Sequence, residues 1–399
     1  MPVWHAKTKQ WVADGRLAVV GVTQEQHPER CRLFAQWQGF EWPILHDPIN
    51  LFGNEAVPMT VAIDEHGVVR AVNPRPDTFE REFLARTFEA PEAGPTSSAW
   101  TDHRTKREEL RAAAETSNTA EAWSTLGDAS ILWGGLPAIE DAIEAYDRAF
   151  GLGDDPASLF RLGVAFRMRH ESSLARPGDF QRAVDAWTAA LERNPNQYIW
   201  RRRIQQFGPR LRVKPYPFYD WVDGAIAAVE ARGELPVTLD VMPYGAEIAQ
   251  PSRAFVSEAG ASVDEDPDPD GRIRRDDAAR LKHEVTLVPP RAKPGQAVRV
   301  HVTLTPRPGA YWNNEAEPVL VWLDGPDGWE LSRQGLSAPN GPGAESEEAR
   351  RVDLEVLVPE GAGVAGRFRA YVLFNACDQV GGTCLYLRQD FDFEVPLVP

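Results

Sequence analysis

The sequence predicts a multidomain chain in which an α/β layer, an α-helical region and an all-β region follow one another. Three observations lead there. Apolar runs and amphipathic helices alternate over residues 1–92, helical periodicity takes over from 97 to 255, and short alternating runs between Pro- and Gly-rich turns fill 281–399. A chain of 399 residues exceeds what one core organises, and its 43% hydrophobic residues are enough for packed cores throughout.

Composition narrows the function classes. The net charge is −16, and the one markedly basic run, Trp200-Arg-Arg-Arg203, continues into mixed sequence, which argues against nucleic acid and against an anionic membrane surface. No apolar run reaches membrane-spanning length, and the first residues lack a charged-then-apolar secretory pattern. As written, the chain is expected to be soluble and cytoplasmic, without membrane insertion. No Walker loop, dinucleotide fingerprint or Ser/His/Asp arrangement is present, so no cofactor and no hydrolase or transferase chemistry is expected. His5, His27, His46 and His66 are scattered without ligand spacing, so no metal site is expected either. Three cysteines are too few for a disulfide scaffold.

In the first segment, Thr8 to Gly15 reads as the end of a helix and Leu17–Val22 as a buried strand. An amphipathic helix from Pro28 to Trp37 follows, then Trp42–His46, then a strand from Val57-Pro58 to Asp64. A turn at Glu65-His-Gly67, a strand at Val68–Val72 and a helix at Thr78–Phe88 complete an α/β layer. Val57-Pro58 running into a strand, followed by Ile63-Asp64-Glu-His-Gly67 and a second strand, resembles the back half of a thioredoxin-like or redoxin domain. The resemblance implies that Pro58 is a cis proline at a substrate-binding position. That family opens its first helix with Cys-x-x-Cys; here Met1 and Trp4 stand about where those cysteines fall. Either the start lies downstream of the true first strand or the motif has been lost. Cys31, on the second helix, reads as a small buried hydrophobe.

Ala90–Ser98 is a linker by composition, and a polar helix, Asp102–Glu115, follows it. Trp123-x-x-Leu126-Gly127, Ala142-x-x-x-Tyr146-x-x-Ala149 and Pro156 recur as Leu159-x-x-Leu162-Gly163, Ala183-x-x-x-Trp187-x-x-Ala190 and Pro195. Small residues in this order let paired helices approach while the aromatics fill the gap, and the pattern resembles tetratricopeptide repeats. Two copies need caps, supplied by the polar helix before them and by Tyr198–Phe207 after them. The tract Lys214–Trp221 then crosses to a last helix, Val222–Ala231. The resemblance implies a surface for a protein partner; a spacer joining the two ends fits the same residues.

Asp264–Gly271 reads as a solvated acidic linker. Strands are expected at Glu284–Val288, Ala297–Thr305, Val319–Leu323, Arg351–Val358, Gly366–Ala376 and Leu385–Val395, the spacing of an immunoglobulin-like β-sandwich. The last two flank Asp378–Thr383 as a hairpin, with Cys377 and Cys384 closing the loop. Residues facing each other across a hairpin come within disulfide reach. Redox relay, structural bridge and two free thiols all remain open from the residues alone.

Pro306-Arg-Pro-Gly-Ala-Tyr-Trp-Asn-Asn-Glu315, the strands after it and the cysteine hairpin are together similar to the N-terminal domain of the DsbD disulfide reductases. By that resemblance Cys377 and Cys384 are a candidate redox pair shielded by Phe374 and Tyr386, and a partner disulfide is the expected substrate. The chain is therefore expected to serve thiol–disulfide exchange. The alternative is a non-catalytic adaptor that binds through its helical repeats and carries the cysteines as a staple.

Overall fold

A computed structural model of the chain describes residues 2–92, 102–209, 221–239, 262–341, 343–378 and 382–398. Most of the linker at 90–98, the tract 214–220, the end of the helical region beyond 239 and the hairpin loop at 379–381 lie outside the described residues. The described residues form helices and mainly antiparallel sheets, in two compact units.

The first unit comprises Met1–Met168, Ala190–Arg201 and Trp221–Val241. Its opening helix, α1 (Pro2–Ala13), is longer at its start than the expected Thr8–Gly15 helix end. Trp4 and Trp11 on α1 pack on Phe79, with Ala62 and Phe83 completing a small core. Strands β1 (Gly21–Thr23) and β2 (Ile44–His46) form a parallel pair, and β3 (Val61–Ile63) and β4 (Val69–Val72) an antiparallel one. Helix α2 (Pro28–Gln38) starts with Pro at its first position, where the missing N–H costs no hydrogen bond. It ends at Gly39, whose φ of 65° is the left-handed value that glycine adopts without a Cβ clash.

Helices α3 (His103–Ser117), α4 (Ala120–Ala129), α5 (Ile139–Gly153), α6 (Pro156–His170), α7 (Asp179–Arg193), α8 (Tyr198–Gln205) and α9 (Val222–Ala231) follow. Asp102 and Thr119 cap α3 and α4 by accepting from backbone N–H groups, as short polar side chains do at helix starts. Between α4 and α5 the approach is close: a Cβ on Gly127 would lie 2.5 Å from the ring of fully buried Tyr146. Tyr146 Oη donates to Asp128 at 2.9 Å, and Arg161 Nη1 donates to the same carboxylate at 3.0 Å.

The second unit comprises Arg169–Ala189, Arg202–Asp220 and Met242–Pro399. Its strands are β5 (Ser262–Val263), β6 (Leu281–Val288), β7 (Ala297–Pro306), β8 (Tyr311–Asn313), β9 (Leu320–Asp324), β10 (Glu330–Leu331), β11 (Gly335–Ser337), β12 (Glu345–Ser346), β13 (Arg350–Leu357), β14 (Gly366–Cys377) and β15 (Cys384–Val395). One sheet runs β10-β13-β7-β6; the other runs β12-β8-β14-β9-β11-β5, with β15 also paired to β14. Val298, Val300, Val302 and Leu304 of the first sheet and Phe368, Val372 and Phe374 of the second belong to one core. That alternation puts Arg299, His301, Arg351, Asp353 and Glu355 on the opposite face of the first sheet.

This second face is not solvated. Arg299, His301 and Glu355 are fully buried, and Phe180 of α7 and Phe207, two residues past α8, pack on the His301 ring. Arg299 bridges Glu355 at 3.2 Å and Asp353 at 3.3 Å, and Arg351 reaches Asp353 at 3.4 Å. Gln181 accepts from the N–H of Leu287 at 2.8 Å, tying α7 to the edge strand. His301 Nδ1 lies 2.7 Å from Asp353, and its Nε2 lies 3.0 Å from the Phe207 carbonyl. Two arginines and two carboxylates already balance in charge, and burial holds His301 down at about 4.

The stretch Asp264–Gly271 departs from the expected solvated linker at Asp266 and Asp268, while Asp264, Glu265, Asp270 and Gly271 are exposed. Asp266 accepts the Tyr371 hydroxyl, and Asp268, 5% exposed, accepts Arg388 Nη1 at 2.7 Å as well as the N–H groups of Arg272 and Ile273. Asp266 and Asp268 fold over the outer face of the second sheet because that face offers Tyr371 and Arg388 as donors.

Candidate functional site

The hairpin is built by strict alternation. Phe368, Ala370, Val372, Phe374 and Ala376 point into the core, so Tyr371, Leu373, Asn375 and Cys377 point away from it. Pairing over twelve residues of each strand places Cys377 directly opposite Cys384, and the two are joined as a disulfide. The bridge therefore lies outside the sandwich core, on the outer face at the last rung of the hairpin. Its two residues differ in access: Cys377 is fully buried, whereas Cys384 is exposed.

Two residues expected to shield the pair are placed differently. Phe374 packs in the core against Trp312, on the face opposite the bridge. Tyr386 shares the outer face but is 46% exposed. Flanking charges are tied to partners. Asp378 accepts Arg280 Nε at 2.6 Å, which holds its carboxyl below the usual carboxylate range; Arg388 is held by Asp268 and Asp390.

An acid near both sulfurs comes from elsewhere in the chain. Cys377 faces Tyr311 on β8, and Asn313, two residues further along the same face, faces Glu345 on β12. The Glu345 carboxylate reaches across β8, so that one of its oxygens and both sulfurs lie within 4.8 Å of one another. Glu345 was not identified from the sequence, because the link passes through two strands, β8 and β12, of three and two residues. The acidic run Glu345-Ser-Glu-Glu348 was the only signal available.

The remaining candidates lie in the first unit. The Val57-Pro58 peptide bond is cis, with Val57 exposed at the approach to β3. Cys31 is a free thiol on α2; burial pushes it up, which reduces its thiolate fraction.

No protein-family model matches the chain, and no curated protein matches it. Among solved structures, the GAE domain of GGA2p from Saccharomyces cerevisiae aligns with 35% of this chain and 100% of its own length at 14% identity and a TM-score of 0.19. The Reelin-N domain of F-spondin covers 32% of this chain and 91% of its own at 13% identity and a TM-score of 0.19. A cohesin module of a Clostridium perfringens family 33 glycoside hydrolase covers 29% and 96% at 14% identity and a TM-score of 0.19. Likenesses at these scores carry no argument about function. Among the described residues, no helix is long and apolar enough to cross a membrane.

Proposed function

We propose that the chain takes part in thiol–disulfide exchange through Cys377 and Cys384. The observation that carries this reading is the asymmetric access to a bridge held on the outer face of a sheet: one cysteine is an exposed residue and the other is fully buried. An incoming thiolate reaches Cys384 Sγ. Its lone pair forms the new S–S bond, and the electron pair of the old bond leaves on Cys377, which takes up a proton. The second thiol of a dithiol donor then attacks the donor sulfur of the mixed disulfide and releases Cys384, so two electrons enter the pair and the donor leaves as a disulfide. In reverse, the Cys384 thiolate attacks a partner disulfide and Cys377 resolves it.

The same reading takes the second unit as a DsbD-like immunoglobulin-type sandwich, supported by two antiparallel sheets sharing one core. It takes α3 to α8 as tetratricopeptide-type helices, supported by the Gly127–Tyr146 approach, and residues 1–92 as a partial thioredoxin-like layer without Cys-x-x-Cys. A second reading, the non-catalytic adaptor that binds through its helical repeats, is favoured by exposed apolar side chains in the helical region: Leu132, Trp133, Leu152 and Leu174.

Trapping separates the two. With Cys31 replaced by Ser, Cys377→Ser leaves a lone Cys384 that should form a mixed disulfide with a small aromatic disulfide. Cys384→Ser should leave a Cys377 that reacts far more slowly. Equal and slow reaction of both variants would favour the adaptor.

A further inference from the structure

We propose that, once its bridge is opened, the Cys377–Cys384 pair together with Glu345 binds a divalent metal ion of the zinc class. Two sulfurs and one carboxylate oxygen already lie within 4.8 Å of one another on three strands of a single sheet, and the three residues are spread over 40 positions of sequence between Glu345 and Cys384 only because the chain makes two further strands between them. Zinc takes thiolate sulfur at about 2.3 Å and carboxylate oxygen at about 2.0–2.2 Å in a tetrahedron, so neighbouring ligand atoms end about 3.5–3.8 Å apart. The oxygen needs to move inward by at most about 1.0–1.3 Å to meet that span. The sulfurs must part from bonding distance to the same span, and exposed Cys384 at the hairpin end is the side chain with room to turn.

The donor set selects the ion. Two thiolates favour zinc over magnesium or calcium, and one carboxylate adds a hard donor that zinc accepts and copper(I) does not prefer. Cys377 and Glu345 come from strands paired through β8, which fixes two ligands before the third arrives. The fourth tetrahedral position opens toward solvent beside Cys384, the arrangement in which zinc retains a water.

The chemistry balances in two steps. A dithiol reductant gives two electrons and two protons to the bridge and leaves as a disulfide. The metal then displaces both thiol protons into solution, so affinity rises with pH. The inference shares with the exchange reading the requirement that the bridge can be opened, but it needs no protein partner.

The test uses the full chain carrying Cys31→Ser, reduced and freed of reductant under anaerobic conditions, with its two thiols counted by alkylation. Cobalt(II) is titrated as the probe, followed by zinc in competition with a chromophoric chelator. The expected result is one cobalt per reduced chain, sulfur-to-cobalt charge-transfer absorption, displacement by zinc and no uptake by the bridged form. Glu345→Gln, which keeps both thiols and the hairpin, should weaken binding by about tenfold or more. No uptake by a chain with two free thiols, or unchanged affinity in Glu345→Gln, overturns the proposal. Exchange with a disulfide probe but no metal uptake sinks this inference alone. Metal uptake without exchange sinks the exchange reading alone, and a bridge that resists reduction in the folded chain sinks both.

Discussion

Replacing each cysteine of the bridge separately should give two different stability costs. The bridge closes a loop with a sequence separation of 7, and the loss of denatured-chain entropy for a loop of that size corresponds to about 2.4 kcal/mol. Cys384→Ser removes that contribution and little else, because the side chain at 384 is exposed. Cys377→Ser removes it too and also places a hydroxyl at a fully buried position, which costs about 1–3 kcal/mol more when no partner accepts it. Reduction of the unmodified chain should resemble Cys384→Ser, since a thiol at 377 is tolerated as a small hydrophobe. Urea unfolding of the full chain, with and without reductant, measures all three through the transition that moves on reduction. Equal costs for the two serine variants would refute the asymmetric placement of the two cysteines. A bridge whose removal moves no transition would refute the chain-entropy estimate.

The remaining predictions concern the acid beside the sulfurs, the buried histidine and the helix contact. Attack at Cys384 develops negative charge on Cys377, and a carboxylate about 4.8 Å away opposes it by about 1 kcal/mol in a water-like dielectric. About half of that charge is present in the transition state, so Glu345→Gln should speed reduction by a small dithiol about twofold, an effect that shrinks at high salt. Burial holds His301 down at about 4 in the fold, whereas the unfolded residue titrates near 6.5, so the unfolded chain binds the extra proton between those values. Stability should therefore fall by about 3 kcal/mol as pH drops from about 6.5 to 4, and His301→Gln should flatten that part of the curve in urea unfolding at several pH values. Gly127→Ala should cost about 1–3 kcal/mol, read as a lowered thermal midpoint, because the added methyl meets a Tyr146 ring that has no room to retreat.

The hairpin was legible because its two runs alternate cleanly and a Gly-containing turn separates them; register then sets Cys377 against Cys384 without further information. The residues that give the bridge its surroundings were not. Glu345 arrives through strands too short to show a period, and Asp268 and Arg388 meet across a stretch whose charge and prolines read as solvated. Alternation also assigns Arg299, His301, Asp353 and Glu355 to a solvent face, which holds only while nothing covers it. Gln181, Phe180 and Phe207 cover it here, and no local pattern in Asp179–Arg193 announces that its partner is a strand a hundred residues later. The same limit applies to Phe374, whose proximity to Cys377 in sequence hides the fact that odd and even residues of a strand face opposite ways.

The most direct test is the reduction potential of the Cys377–Cys384 bridge in the full chain, measured by equilibration with defined dithiol–disulfide buffers and alkylation of the products. A pair that passes electrons should equilibrate at about −120 to −270 mV, the range of disulfide oxidoreductases. A value below about −300 mV would mark the bridge as a permanent staple and contradict the exchange function.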